Sequence, residues 1–171
     1  MPDRFARTLL PEAALLALWG PDTPEFQVAA AALLGDRLPA AIGEARGDAD
    51  QHLLRLGPGE WLLLRPDGDA AALAAAWDAP LAEAGGVATD VSDGWARLRL
   101  EGTAVRRLLG AGLGLDLDPR HFGPGRCART LLARCPVLLI PGAGTAMDLL
   151  VARSFAAWLV AWLDDAALGL G

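Results

Sequence analysis

Apolar and polar positions switch between helical and strand spacing along the chain, and this pattern predicts a mixed α+β protein. The clearest element lies near the C-terminus, between a possible Ser154 cap and a Gly169 stop. Five large apolar residues recur there at the spacing of one helical face: Phe155, Trp158, Leu159, Trp162 and Leu163. We expect this helix to pack all five side chains against a sheet.

Helical spacing or capping signals predict four further helices, at Pro11–Trp19, Pro24–Leu34, Asp67–Leu81 and Thr103–Leu109. Thr23 is suited to cap the second of these, and Pro24 presets its first turn. In the third, Pro80 is expected to end or kink the last turn.

Short apolar runs bounded by glycine and proline predict the strands: a hairpin over His52–Leu56 and Trp61–Leu64, then Val87–Val91, Trp95–Leu100, Arg126–Ala133, Val137–Ile140 and Ala146–Val151. In Trp95–Leu100, small or apolar residues alternate with Trp95, Arg97 and Arg99. One face of that strand is therefore expected to meet the core, and the other to meet water or a partner.

The order of elements repeats within the chain. A strand, an arginine and a tryptophan-bearing helix follow one another in Trp61–Trp77, with Arg65 at the junction, and again in Met147–Trp162, with Arg153 at the junction. The sequence therefore suggests two related α+β halves, residues 1–85 and 86–171, that form one compact unit.

Composition and charge narrow the class of protein. Of the 171 residues 53% are hydrophobic, which is enough for a core without metal or disulfide staples. The net charge of −6 disfavours nucleic acid as a partner. All 15 basic residues are arginine, so no lysine is present to form a Schiff base. No apolar run reaches the roughly 18 residues of a membrane span, and no secretory signal is evident, so we expect a cytoplasmic protein.

Groups suited to catalysis are few. Only His52, in an apolar strand, and His121, in a loop, are available as bases, and no nucleophile elbow is present. Cys127 and Cys135 lie eight positions apart, which fits buried free thiols better than a redox pair or a zinc site. The glycines of Gly110–Gly114 follow a helix rather than a strand, so we interpret them as a flexible helix exit and not a dinucleotide loop. We expect no catalytic residue and no metal site.

For two groups of polar residues and for two tryptophans, the sequence leaves alternative interpretations open. Asp116 and Asp118 fit turn chemistry or a carboxylate pair, and His121 beside them fits a base or a contact loop. Arg120, Arg126, Arg129 and Arg134 form the one basic concentration, and they are suited to pair either with a partner or with the chain's own carboxylates. Trp61 and Trp95, each starting a strand, fit core caps or exposed anchors.

Four motifs in order resemble the gamma subunit of heterotetrameric sarcosine oxidase: Leu56–Leu64 (LGPGEWLLL), Thr89–Gly102 (TDVSDGWARLRLEG), Phe122–Thr130 (FGPGRCART) and Arg153–Leu159 (RSFAAWL). The resemblance covers about Leu33 to Leu168. Asp90-Val91-Ser92, Gly102 and the Arg107-Leu108-Leu109 helix are also similar to the folate-binding fold of the glycine-cleavage T-protein.

These resemblances imply an α+β fold of two related small α/β subdomains, with antiparallel-rich sheets packed by helices. They imply a non-catalytic subunit that binds no cofactor by itself, while FAD, FMN, NAD and tetrahydrofolate belong to large alpha and beta partner subunits. Asp116 lies where the T-protein has an acidic residue that acts on folate. The glycines of Gly110–Gly114 depart from that pattern, so the folate role is not carried over.

The first hypothesis is a gamma-type subunit with a structural and assembly role in a complex that oxidatively demethylates sarcosine and passes the one-carbon unit to tetrahydrofolate. The candidate interface residues are Trp95, Arg97, Arg99, Arg126 and Arg129. The alternatives are a stand-alone folate-binding or aminomethyltransferase-like module, and a free cytoplasmic scaffold.

Overall fold

The computed structural model describes residues 5–35, 38–47 and 51–169. Within these ranges the helices are α1 (Pro24–Leu34), α2 (Ala70–Glu83), α3 (Val105–Gly110) and α4 (Arg153–Leu168). The strands are β1 (Ala6–Leu9), β2 (Ala14–Trp19), β3 (Ala45–Gly47), β4 (His52–Gly57), β5 (Glu60–Arg65), β6 (Val87–Asp90), β7 (Trp95–Glu101), β8 (Ala128–Leu132), β9 (Cys135–Pro141) and β10 (Met147–Ala152). The predicted α+β class is confirmed.

The contacts divide the chain into two compact units. The central unit runs from Glu12 to Ser92, and the terminal unit joins the described residues up to Pro11 to those from Asp93 onward. The sequence alone placed one boundary after residue 85. Strand β6 instead belongs to the central unit, and β1 belongs to the terminal unit.

Both units contain a five-stranded antiparallel sheet with the same topology. The central sheet has the order β3-β4-β5-β2-β6, and the terminal sheet has the order β8-β9-β10-β7-β1. Each unit starts with a strand and a helix, continues with three strands and a helix, and is completed by one edge strand. The repeat seen in the sequence is thereby confirmed, because Trp61–Trp77 and Met147–Trp162 occupy equivalent strand and helix positions. The difference is the edge strand, which β1 supplies from the other end of the chain.

Each sheet packs one face against its own helices. In the central unit, Phe26 of α1 and Leu81 of α2 are fully buried against Leu16 and Leu63 of the sheet. In the terminal unit, Leu159 and Leu163 of α4 join Leu98 and Leu149. Burial of such side chains contributes about 1.5–3 kcal/mol each before entropy is subtracted.

Local signals located some helix ends and misplaced others. The Thr23 side chain accepts a hydrogen bond from the Phe26 amide at 3.4 Å, which confirms it as the α1 cap. Helix α2 continues past Pro80 to Glu83, so of the two expected effects of Pro80, an end or a kink of the last turn, the end is wrong. Helix α4 ends at Leu168 with Gly169 as its C-cap, as expected, but Ser154 does not cap its start, because the helix already begins at Arg153.

The helix predicted at Pro11–Trp19 is wrong, because residues 14–19 form strand β2. This strand lies between β5 and β6 in the sheet, and Leu15 and Leu16, which point to opposite faces, are both buried. A strand buried on both faces shows no polar alternation, and its alanine and leucine content mimics a helix. Sheet pairing therefore overrides the local helix preference.

Helix α4 also differs from its predicted packing. Leu159 and Leu163 are fully buried, but Phe155 and Trp158 remain 47% and 48% exposed. At about 100° per residue, these two side chains lie on a flank of the helix rather than on its buried stripe. The expectation that all five apolar residues pack against the sheet is therefore wrong for Phe155 and Trp158.

Residues Ser92–Gly94 form a short 3₁₀ helix. The strands that it joins, β6 and β7, belong to different sheets and do not pair with each other. No helix in the described part of the chain is long and apolar enough to cross a membrane.

Candidate functional site

An arginine–aspartate cluster lies on the face of the terminal sheet opposite its helices. Arg97 and Arg99 extend from β7, and Asp148 extends from the neighbouring strand β10, directly opposite Arg99. Arg97 donates from Nη2 to Asp148 Oδ2 at 2.6 Å, and Arg99 donates from Nε to Oδ1 at 2.7 Å. One carboxylate thus accepts charge-assisted hydrogen bonds from two guanidinium groups.

Burial makes this cluster structurally important. Arg97 is only 7% exposed and Asp148 only 4%. Burial by itself raises the pKa of Asp148, but hydrogen bonds from Arg99 and Arg97 outweigh it and hold that pKa below its usual value. The sequence prediction that Arg97 meets water or a partner therefore differs from the structure, because the guanidinium is used within the unit. The sequence does contain a signal for this pairing, which is the single aspartate, Asp148, within the apolar run of β10.

Strand register places Arg129 on the same sheet face. Arg129 pairs with Leu138, Leu138 with Leu150, and Leu150 with Arg97, and directly paired residues share a face. Trp95 lies two positions before Arg97 and so also points to this side. Four of the five candidate interface residues therefore share one face of the terminal sheet.

The edge of that face is exposed. Arg129 and the nearby Leu131, which is 55% exposed, lie on the edge strand β8. Arg126 lies in the loop just before β8 and is also exposed. The edge thus presents basic and apolar groups to the surroundings in an otherwise acidic chain.

The loop that follows α3 brings Asp116 and His121 together. Asp116 Oδ2 lies 2.7 Å from His121 Nδ1, and both side chains are about two-thirds exposed. Asp116 also accepts a hydrogen bond from the Asp118 amide, which together with His121 lowers its pKa. Asp118 in turn pairs with Arg120, which lowers the Asp118 pKa to about 2. These contacts give both aspartates a role in the turn.

The Asp116–His121 contact predicts a measurable titration. The hydrogen bond that His121 Nδ1 donates to the Asp116 carboxylate raises the pKa of His121 above its ordinary value of 6.5. We expect an NMR titration to show this, and Asp116→Asn to return the His121 value toward 6.5. Because the folded pKa is raised, any stabilisation by this pair is complete below about pH 6.5 and is lost as pH rises through the folded pKa. His52, the only other histidine, is the internal control. Equal His121 values in both proteins would contradict the contact.

The two cysteines and Gly112 lie in surroundings that explain them by packing. Cys127 and Cys135 are buried and are not joined by a disulfide. A side-chain carbon added at Gly112 would lie 2.8 Å from the Trp162 ring, so this glycine permits close packing under α4. Among the described residues, no group of three or more histidine, cysteine, aspartate or glutamate side chains is arranged to hold a metal ion.

Described residues of the central unit line at least two clefts. One, of about 470 Å³, is lined by α1 and by Arg55, which pairs with Asp22 at 2.8 Å. The other, of about 460 Å³, is lined by Asp67, Asp69 and neighbouring residues at the start of α2. Neither includes Asp116, so these clefts give no support to a folate contact by that residue.

The architecture matches a known class of fold. The crystal structure of glycine cleavage system aminomethyltransferase T from Bartonella henselae is similar to it, with a TM-score of 0.66 at 16% identity, over 93% of this chain and 45% of that chain. At this identity the likeness concerns the fold, and it confirms the predicted similarity to the T-protein.

Comparisons of sequence identify the family. A sequence model of the sarcosine oxidase gamma subunit family matches residues 20–169. Sarcosine oxidase subunit gamma from Corynebacterium sp. (strain U-96) is 38% identical over 139 residues, which are 81% of this chain and 67% of the relative. The subunit from Arthrobacter sp. is 37% identical over 81% of this chain and 68% of its own length. The chain therefore belongs to the sarcosine oxidase gamma subunit family.

A solved structure agrees with that assignment. A chain of the heterotetrameric sarcosine oxidase from Corynebacterium sp. U-96, in complex with pyrrole 2-carboxylate, has a TM-score of 0.89 and 33% identity. The match covers 97% of this chain and 85% of that chain. The family resemblance carried by the four sequence motifs is confirmed.

Proposed function

We propose that this chain is the gamma subunit of a heterotetrameric sarcosine oxidase and that it braces the larger subunits without carrying out catalysis. The observation that supports this most directly is the match of nearly the whole chain to a subunit of the solved heterotetramer. The complex would oxidatively demethylate sarcosine and pass the one-carbon unit to tetrahydrofolate. We place it in the cytoplasm.

The chain's own residues are consistent with an assembly role. Asp148 is held by two arginines, Asp116 is held in an exposed turn, and both cysteines are buried. These groups are therefore engaged in holding the fold. In this proposal the alpha and beta subunits hold FAD, FMN, NAD and tetrahydrofolate.

The proposed contact with a larger subunit uses the exposed edge of the terminal sheet. Arg126 and Arg129 supply guanidinium groups there that are suited to pair with carboxylates of a partner. Trp95 adds a partly exposed aromatic surface on the same face as Arg129. Arg97 and Arg99 would support this surface indirectly, because their ion pairs with Asp148 hold strands β7 and β10 together.

Co-purification tests this proposal. The chain is expressed together with the larger subunits, one of which carries an affinity tag, and sarcosine-dependent oxygen consumption is measured on the eluate. We expect the chain to elute with the tagged subunit and to show no turnover of sarcosine when purified alone. Elution of the chain by itself, or turnover by the isolated chain, would contradict the proposal.

A charge reversal in the same assay tests the sheet edge. The double variant Arg126→Glu/Arg129→Glu is expected to reduce the retained fraction several-fold, since the changes repel a carboxylate partner and are located on an exposed edge. Arg46→Glu, at an exposed position of the central unit, is the control and is expected to be retained like the wild type. Equal retention of the double variant and this control would exclude the edge as an interface.

A further inference from the structure

Helix α4 is apolar around most of its circumference. Among its sixteen residues only Arg153, Ser154, Asp164 and Asp165 are polar. A helix that is apolar on all sides is normally buried on all sides. The terminal unit covers the stripe that contains Leu159, yet it leaves Phe155 and Trp158 about half exposed.

The exposed side chains form part of an aromatic flank, which we define as Phe155, Trp158 and Trp162. Their spacing of three and four residues places them along one side of the helix. Trp162 is half-buried, and its ring lies so close to Gly112 that an added side-chain carbon would come within 2.8 Å of it. One end of the flank is thus fixed by the core. Aromatic side chains have only two rotatable side-chain angles, so they lose little entropy on binding, and tryptophan is enriched among the residues that dominate interfaces.

The charge next to the flank indicates the chemistry of the missing partner. Asp164 and Asp165 lie near the C-terminal end of α4, where the helix dipole disfavours negative charge. Arg7 compensates Asp164 through two hydrogen bonds of 2.7 and 2.6 Å. Asp165 is exposed and has no hydrogen bond or ion pair with any described residue. A cationic side chain from outside would compensate both Asp165 and the helix end.

We infer that the aromatic flank of α4 docks into an apolar surface of a larger subunit of the oxidase, whose arginine or lysine side chain meets Asp165. This inference rests on the proposed function, because the solved relative is a heterotetramer. A second copy of the chain is a poorer match, since each copy carries a net charge of −6 and two copies would repel each other at long range. The basic charge is thus better supplied by a different subunit.

The test measures the affinity of the chain for the purified larger subunits, with Trp158→Ala as the main variant. We expect the dissociation constant to rise by about 30-fold, as for a truncated tryptophan at the centre of an interface. Trp19→Ala is the matched control, because Trp19 is 49% exposed and lies in the central unit. We expect this control to change the affinity by less than about 3-fold, as a substitution outside the interface does. Thermal unfolding of both variants monitors the fold.

A second pair of variants tests the charge. Asp165→Arg is expected to weaken binding by about 10-fold at low salt and by less at high salt, because it brings like charges together. Asp78→Arg on the exposed side of α2 is the control and should leave the affinity unchanged. If Trp158→Ala and Asp165→Arg both bind like their controls, the docking surface is wrong although the proposed function stands.

Two other outcomes would also overturn the inference. If the wild-type chain does not bind the larger subunits, both the proposed function and this inference fail. If light scattering shows a dimer of the isolated chain that Trp158→Ala converts to a monomer, a second copy occupies the flank instead.

Discussion

Replacing Asp148 with asparagine is expected to lower the free energy of unfolding by about 3 kcal/mol, since it leaves two arginines without their carboxylate. Arg97 is buried and cannot regain its hydration within the folded unit, whereas the Arg99 side chain is 26% exposed and is partly able to do so. The expected loss therefore lies at the lower end of the range for breaking a buried ion pair. Urea unfolding followed by circular dichroism measures it.

Asp165→Asn is the control for this experiment, because Asp165 is exposed and makes no ion pair among the described residues. We expect its unfolding free energy to stay within about 0.5 kcal/mol of the wild type. Because the Asp148 pKa is lowered, the stabilisation from Asp148 is present at neutral pH and is lost as pH falls through that pKa. The Asp148→Asn variant should therefore be less sensitive to acid. A loss below about 1 kcal/mol would show that the cluster contributes little.

Truncation of Trp61 is expected to be at least as damaging. Its ring is 1% exposed, lies 5.4 Å from the Phe26 ring and supports the Arg55 guanidinium 5.1 Å from its centroid. Trp61→Ala removes this packing and leaves a cavity, at a cost of about 3–5 kcal/mol. It also removes the cation–π contact of Arg55, which contributes about 0.5–2 kcal/mol. Denaturant unfolding of the purified chain tests the loss.

Trp19→Ala is again the matched control, because this tryptophan lies on the neighbouring strand β2 and is about half exposed. Its truncation is expected to cost about 1 kcal/mol or less. Equal losses for the two tryptophan variants would mean that Trp61 is not central to the core. Of the alternatives that the sequence left for Trp61, the structure supports the core position.

The elements that the sequence predicts well are those with local signals. The cap at Thr23 with Pro24 located α1, and the Gly57-Pro58-Gly59 turn located the β4–β5 hairpin. These signals act over a few residues and do not depend on the rest of the fold. The two related subdomains were also predicted, because their strands and helices repeat in order.

The errors arise where distant residues decide the outcome. Arg97 follows a regular alternation that points it outward, but Asp148, 51 positions later, holds it in a buried ion pair. The small edge strands β1 and β3 were not predicted, since their sequences carry little apolar pattern. For the candidate interface, strand spacing correctly placed Trp95, Arg97 and Arg99 on one face, and only the sheet register added Arg129.

The placement of β1 affects how the chain reaches its native state during synthesis. The central unit is continuous in sequence, so it is able to fold as soon as it has left the ribosome. The terminal sheet must wait, because Leu9 pairs with Leu98 and the first strand emerges long before its neighbour. Until then the nascent β1 segment has no sheet to join, so we expect β1 to pair only after β7 has been synthesised.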